Sequence, residues 1–242
     1  MRLDWSWAVA AVGIALGSFV QGLAGFGIGL VALSFLPYVM SPTRAIVLLT
    51  VYAVAFTLVV LVQLRRYVTP RGIAYLLIGT VLGMPFGVWV LANVPAALIN
   101  RLIGIMLVLA PLLEWRGLYP GRLDGRPWGL GAGFLAGVLG GAVGTPGPPA
   151  IVYATTQGWS PQTIKANLQA FFLVNQTVIL AGYWWAGLLT TEVLALTLAF
   201  AAPAALGLVG GLLLFGRVDQ AHFRRIVFAL IFVSGVALLV RG

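Results

Sequence analysis

Apolar residues run along this chain in long stretches, with the polar positions gathered between them. The stretches cover approximately 5–40, 45–64, 72–92, 97–113, 128–158, 166–186, 190–215 and 223–240. A bilayer-spanning helix needs about 20 predominantly apolar residues, and most of these segments supply one such length. Segments 5–40 and 128–158 are too long for a single crossing and are interrupted by glycine or proline, which predicts helices broken part-way. Trp5, Trp7, Trp115, Trp128, Trp159, Trp184 and Trp185 lie near segment ends, the placement of an interfacial aromatic belt. No separate soluble domain is visible in the pattern.

Composition sharpens this picture. The 242 residues are 61% hydrophobic and 8% charged, whereas a soluble domain carries about a quarter charged residues. The lipid bilayer is the expected surrounding. Fourteen Lys plus Arg against five Asp plus Glu give a net charge of +9, which in a soluble protein would point to nucleic acid. Here the cations sit between apolar runs and read as topology signals, so no nucleic-acid partner is expected. The absence of cysteine excludes disulfides and thiolate metal sites, and a lone histidine, His222, disfavours other metal chemistry. Neither metal nor cofactor is expected. The opening MRLDWSWAVAAVGIALGSF has the form of a cleaved signal peptide, a reading disfavoured because a copy of the segment recurs inside the chain.

That recurrence is an internal repeat. Sliding the halves over one another puts Gly22, Gly25 and Gly29 on Gly137, Gly140 and Gly144, Arg44-Ala45 on Lys165-Ala166, and Gly83, Gly87 and Arg101 on Gly207, Gly211 and Arg225. The predicted organisation is a first membrane repeat at 1–114, a cytoplasmic linker at 115–127 and a second repeat at 128–242. Each repeat reads as one broken segment followed by three helices.

Charge then orients the segments. Arg65, Arg66 and Arg71 mark one connection as cytoplasmic, Arg116, Arg122 and Arg126 a second, and Arg217, Arg224 and Arg225 a third. Connections 93–96 and 187–191 contain no Lys or Arg and are expected outside. Every one of these connections obeys the rule only if 128–158 enters and returns on the same side. The same treatment of 5–40 puts the N-terminus outside, with Arg2 and Arg44 as mild exceptions. The predicted fold is an all-α polytopic membrane protein of two inverted repeats, each a glycine-broken re-entrant hairpin plus three transmembrane helices, a plan that recurs in transporters.

The hairpins are expected to turn around QGLAGFGIG at 21–29 and GGAVGTPGPP at 140–149. Non-helical backbone at membrane depth is tolerated where protein or a wet cavity satisfies it, and two such breaks at matching places point to a substrate site. Helix N-termini beyond the breaks favour an anion. Alternatively the glycines serve close helix packing, the favoured reading for Gly79, Gly83 and Gly87. Asn167, Gln169, Asn175, Gln176 and Thr177 lie in an otherwise apolar helix and could bind an oxyanion or bond to neighbouring helices. Arg44 and Lys165 each begin a helix, where a cation opposes the dipole. They are candidate entrance cations, with snorkelling to the interface as the alternative.

Asp4, Glu114, Asp124, Glu192 and Asp219 all lie at segment ends or in connections, which gives no support to a carboxylate proton relay or cation site. There is no GxSxG, HExxH, phosphate loop or paired-Asp protease pattern. An enzyme is not expected.

QGLAGFGIGLVALSFLP at 21–37 followed by SPTRA, and GGAVGTPGPPAIVY at 140–153 followed by SPQTIKAN, resemble the paired signatures of the sulfite exporter TauE/SafE family. The resemblance covers essentially the whole chain. It implies a multi-pass permease of the bacterial or archaeal plasma membrane for small sulfur-containing or organic anions such as sulfite or sulfonates. Many members carry three consecutive glycines in each signature, whereas here Gly27-Ile28-Gly29 and Gly141-Ala142-Val143-Gly144 interrupt the run.

Together these readings predict export of a small oxyanion, sulfite or an organosulfonate, bound where the turns meet near the bilayer midplane. The expected binding groups are backbone N–H at Gly25, Phe26, Gly27, Gly144, Thr145 and Gly147, aided by Gln21, Asn175 and Gln176. Alternatives are an importer or neutral-solute permease, and a membrane assembly subunit that transports nothing. A homo-oligomer is compatible with all three.

Overall fold

Serine or proline starts several helices of this chain, and glycine ends several. The computed structural model describes residues 5–116, 123, 125–215, 217 and 219–241. Arg2, Asp4, Arg122 and Asp124, and the side chains of Glu114, His222 and Arg224, lie outside the described set. Helices α1 (Trp5–Ala24), α2 (Ile28–Ala32), α3 (Pro42–Leu64), α4 (Pro70–Asn93) and α5 (Ala96–Arg116) are followed by α6 (Arg126–Val143), α7 (Gly147–Thr155), α8 (Pro161–Trp185), α9 (Thr191–Ala199), α10 (Ala201–Leu214) and α11 (Gln220–Arg241). Ser41, Ser160 and Thr190 cap α3, α8 and α9, their hydroxyls accepting the N–H of Arg44, Thr163 and Val193. Pro42 and Pro161 fill first-turn positions where no intrahelical N–H bond is lost.

Four stretches are long and apolar enough to cross a membrane: Trp5–Ala24, Pro42–Tyr67, Pro70–Asn93 and Ala96–Leu113. The pair α9 and α10 makes a fifth if taken as one span, bent by 53°. The pattern 190–215 predicts one spanning helix. The bend at Phe200 has its cause in Pro203, which lacks an N–H and crowds the carbonyl four residues back. Among the described residues the chain is a multi-pass, all-helical membrane protein with no strand. Large apolar side chains such as Leu198, Leu206 and Val240 point outward, as a lipid-facing surface requires. Buried Ile14, Leu36, Ile46, Leu48 and Ile103 form the interior.

The chain doubles back twice. A Cβ on Gly17 would lie 2.9 Å from the Ile28 carbonyl, and one on Gly13 2.9 Å from Phe35 Cβ, so the segment after α1 returns along it. In the second break, the same construction puts Gly140 3.1 Å from Pro146 Cβ and Gly129 3.2 Å from the Tyr153 hydroxyl. Gln157, just past α7, donates its amide to the Leu123 carbonyl at 2.9 Å, and Arg126 stands 5.7 Å over the Tyr75 ring. Both ends of the α6–α7 segment therefore lie at one end of the molecule, beside the start of α4. At the other end, Arg44 and Glu192 join the starts of α3 and α9 in a 2.9 Å ion pair.

Glycine stripes set the helix pairs. Gly79, Gly83 and Gly87 of α4 face the Leu130, Phe134 and Val138 carbonyls of α6, at distances that leave no room for a Cβ. Gly133, Gly137 and Gly141 of α6 face α4 in return. Gly22 of α1 and Gly207 and Gly211 of α10 make the equivalent contact between those helices. In both pairs residue numbers rise together, so the helices are parallel. Helices α5 and α11 pack antiparallel through Gly104 and Gly235. The packing reading of Gly79, Gly83 and Gly87 holds.

The register of the repeat in the hairpins differs from the sequence alignment. Helix α1 ends on Gly25 and α6 on Gly144, both left-handed at φ 85° and 69°, so Gly25 matches Gly144 rather than Gly140. Ser41 matches Ser160 in the same register. Glycines recurring every fourth residue make the alignment ambiguous by one helical turn, which is how the sequence comparison slips.

Candidate functional site

Each break needs its backbone satisfied away from water. At the first, the Gln21 amide donates to the Gly25 carbonyl at 3.2 Å and accepts the Ile28 N–H at 3.3 Å, closing the turn and capping α2. The Gln169 amide of α8 also donates to the Gly25 carbonyl. Gly27 adopts φ 109°, a conformation open to glycine at little cost. At the second break, Gly144 N–H bonds the Gly140 carbonyl at 3.0 Å and Thr145 N–H the Leu139 carbonyl at 3.4 Å, a Schellman closure. The hydroxyl of fully buried Tyr183 donates to the carbonyls of Gly141 and Gly140, at 2.7 and 3.2 Å.

The two breaks touch. A Cβ on Gly29 would meet the Gly144 carbonyl at 2.7 Å. Between them lies a cavity of about 90 Å³. Ala53 and Thr57 line it from the middle of α3, and Phe172 and Gln176 from the middle of α8. Among the described residues, no charged side chain lines it. Thr145 Oγ1 and Gln176 Oε1 are buried with no hydrogen-bond partner among the described residues. Buried polar atoms are rarely left so.

Of the residues expected from sequence, Gln21, Phe26, Gly27, Gly144, Thr145, Gly147 and Gln176 line this cavity. Gly25 and Asn175 do not. Gly25 packs against Gln169 and the Lys165 stem. Asn175 turns to α4, where its amide donates to the Thr80 hydroxyl. Asn167 also bonds to another element, pairing with Thr69 N–H and hydroxyl at 2.7 Å each, and Thr177 is exposed. Among the six expected backbone donors, Gly25, Gly144 and Thr145 already bond within the protein, while Phe26, Gly27 and Gly147 stand at the starts of α2 and α7. Pro146, Pro148 and Pro149 have no N–H to give. Arg44 is half-exposed and paired with Glu192, whereas Lys165 Nζ sits 3.8 Å above the Phe215 ring.

Sequence reasoning missed Thr57, Leu113 and Phe228, which also line the cavity. Thr57 was within reach: it stands as far beyond the Ser41 cap as Gln176 stands beyond the Ser160 cap. Nothing in the sequence singles out Leu113 or Phe228.

The family model described as Sulfite exporter TauE/SafE matches residues 9–238, nearly the whole chain and both breaks. The chain belongs to the sulfite exporter TauE/SafE family. No curated protein and no solved structure matches it. The TauE/SafE family is one of membrane transporters for sulfite or related anions rather than of enzymes, and in this TauE/SafE chain the cavity between the breaks is the candidate transport site. Adjacent amides separate there into two duties, because Asn175 and Gln176 point to different faces of α8. Replacing Gln176 with Leu is expected to weaken anion affinity about tenfold, the scale of one hydrogen bond to a charged group. Asn175→Leu is expected to leave affinity within about twofold and to lower thermal stability instead, since it breaks a buried bond to α4. Substrate protection and melting curves of the two reconstituted variants check this.

Proposed function

We propose that the protein exports a small sulfur-containing or organic oxyanion across a bacterial or archaeal plasma membrane, binding it between two re-entrant hairpins. The repeats at 1–114 and 128–242 are inverted copies joined by the linker 115–127. Three kinds of contact support this reading. Both ends of the α6–α7 segment lie together through Gln157 and Leu123. The parallel pairs α1 with α10 and α6 with α4 exchange with one another when the halves are exchanged. The antiparallel pair α5 and α11 exchanges with itself, as a two-fold relation requires.

The observation that carries the function is a cavity at mid-length of α3 and α8 that is uncharged among the described residues, is walled by both breaks and holds two buried polar atoms without partners among those residues. An oxyanion would take N–H from Phe26, Gly27 and Gly147 and O–H from Thr145. The Gln176 amide, whose O and N exchange by a half-turn, offers a further N–H. An inside-negative potential drives an anion outward by about 2.3 kcal/mol per charge per 100 mV, so export proceeds without a coupling ion. Among the described residues, no carboxylate lines the cavity to bind one. The same lack of charge favours a second reading, a permease for a neutral solute.

Flux in proteoliposomes held at imposed potentials separates the two. An anion substrate is expected to accumulate on the positive side by about 50-fold per charge at 100 mV, with sulfite and organosulfonates competing. Flux of a neutral sugar indifferent to potential would establish the second reading. Absence of any anion flux would discard export.

A further inference from the structure

Gly25 and Gly144 match in the register of the repeat, yet one turn is flanked by a cation and the other by hydrocarbon. A Cβ on Gly25 would meet Lys165 Cε at 3.4 Å, and one on Gly144 would meet Ile46 Cγ2 at 3.3 Å. Lys165 and Ile46 each stand five residues beyond the serine that caps their helix. In the structural register Lys165 therefore matches Ile46, and its sequence alignment with Arg44 slips as that of the hairpin glycines does. Ile46 is fully buried, so the second turn is sealed against α3 by an apolar side chain. The first turn meets α8 across the stem of a half-buried lysine.

The surroundings of Lys165 leave its charge available. Its ammonium lies over the Phe215 ring, and among the described residues no carboxylate pairs with it. Arg44, at the opposite end of the molecule, is neutralised by Glu192 at 2.9 Å. Lys165 belongs to the arginine-rich end, because Asn167, two residues on, bonds Thr69, which lies between Arg66 and Arg71. The charge rule sets that end in the cytoplasm. Residues 165, 169, 172 and 176 share one face of α8, and Phe172 and Gln176 of that face line the cavity. About 16 Å of helix separates Lys165 from Gln176. One turn inward from Lys165, Gln169 is buried, and its Oε1 has no partner among the described residues. A side chain four residues away reaches such a group, so Oε1 offers the ammonium a second seat on the cavity side of the ring.

We propose that Lys165 is the capture cation of the cytoplasmic approach: it takes the anion from solution with its ammonium over Phe215 and passes it along the α8 face, by way of Gln169, toward Gln176. The approach from the other end is sealed by Ile46 and has its Arg44 neutralised, so the anion is gathered from one side. This rests on the anion-permease reading above and adds the residue that makes the two approaches unequal.

Initial uptake of radiolabelled sulfite or ethanesulfonate into inverted and right-side-out membrane vesicles presents the two faces separately. Lys165→Ile, which copies the second turn, is expected to raise KM at the cytoplasmic face about tenfold, the low end of what charge focused in a cleft contributes, and to leave KM at the outer face within about twofold. Lys165→Arg keeps the charge and should hold the cytoplasmic KM within about threefold. In the unsubstituted protein, KM should rise with ionic strength more steeply at the cytoplasmic face than at the outer face, and Lys165→Ile should flatten that difference. A cytoplasmic KM unmoved by Lys165→Ile, or moved equally at both faces, overturns the proposal while leaving anion transport standing. Equal salt dependence of the two faces in the unsubstituted protein overturns it as well, whether or not the variant inserts. No flux of either anion overturns it together with the permease reading.

Discussion

Gly83→Leu is expected to lower the stability and the yield of folded protein sharply. A Cβ at Gly83 would stand 2.1 Å from the Phe134 carbonyl oxygen and 2.9 Å from its carbon. Both are backbone atoms of a neighbouring helix, so no rotamer change relieves the clash. Helices α4 and α6 would have to separate along their whole contact, since Gly79, Gly87, Gly133, Gly137 and Gly141 depend on the same spacing. Overpacking a well-filled interior costs about 1–3 kcal/mol, occasionally more, and a backbone collision belongs at or beyond the upper end, where the folding equilibrium constant falls at least about a hundredfold. Gly131 supplies the control. It lies in α6, yet a Cβ there meets nothing within 4 Å, so Gly131→Ala should be neutral or stabilising by up to about 1 kcal/mol. Yield of monodisperse protein after detergent extraction, with thermal melting of whatever remains, checks both. Normal yield of Gly83→Leu would mean that the close α4–α6 contact is not needed for the fold.

The second large effect falls on transport. Gly147→Leu should abolish anion flux, by at least about a hundredfold, while leaving insertion and melting nearly unchanged. Gly147 lines the cavity at the first residue of α7. A Cβ there would find Ile151 Cδ1 at 3.6 Å and Phe172 Cζ at 4.0 Å, ordinary contacts that the fold can hold. The remaining atoms of leucine would enter the cavity, whose volume of about 90 Å³ cannot hold both that side chain and an anion. Gly27→Leu should block flux as well, but with an added loss of stability. Its φ of 109° is disfavoured for any residue with a Cβ, at a cost of about 1–3 kcal/mol. The comparison separates occlusion from strain. Flux through Gly147→Leu at the normal rate would remove this cavity from the transport path.

These two glycines also mark how far the sequence could be read. The segment lengths, the two breaks and the ends of most helices follow from where glycine, proline and serine interrupt apolar runs, because those residues act on their own backbone. The bend at Phe200 was readable in the same way from Pro203. Register was not, since a glycine every fourth residue looks the same one turn along. Nor was the division of labour between Asn175 and Gln176. It depends on Thr80, some 95 residues away, which no local pattern in α8 contains. Lys165 shows the same dependence, because the ring beneath its ammonium belongs to Phe215 of a distant helix end.

The glycine seam between α1 and α10 joins the beginning of the chain to a helix near its end. During synthesis α1 leaves the ribosome almost the whole length of the protein before its partner exists, whereas α6 finds α4 already made. The two arms are therefore captured at very different times: the second docks at once, and the first must wait in the lipid with its glycine face bare. Docking of the first arm therefore falls late in biogenesis, with the α5–α11 pair still to close. The delay also makes the first arm the segment on which membrane chaperones and proteases have longest to act.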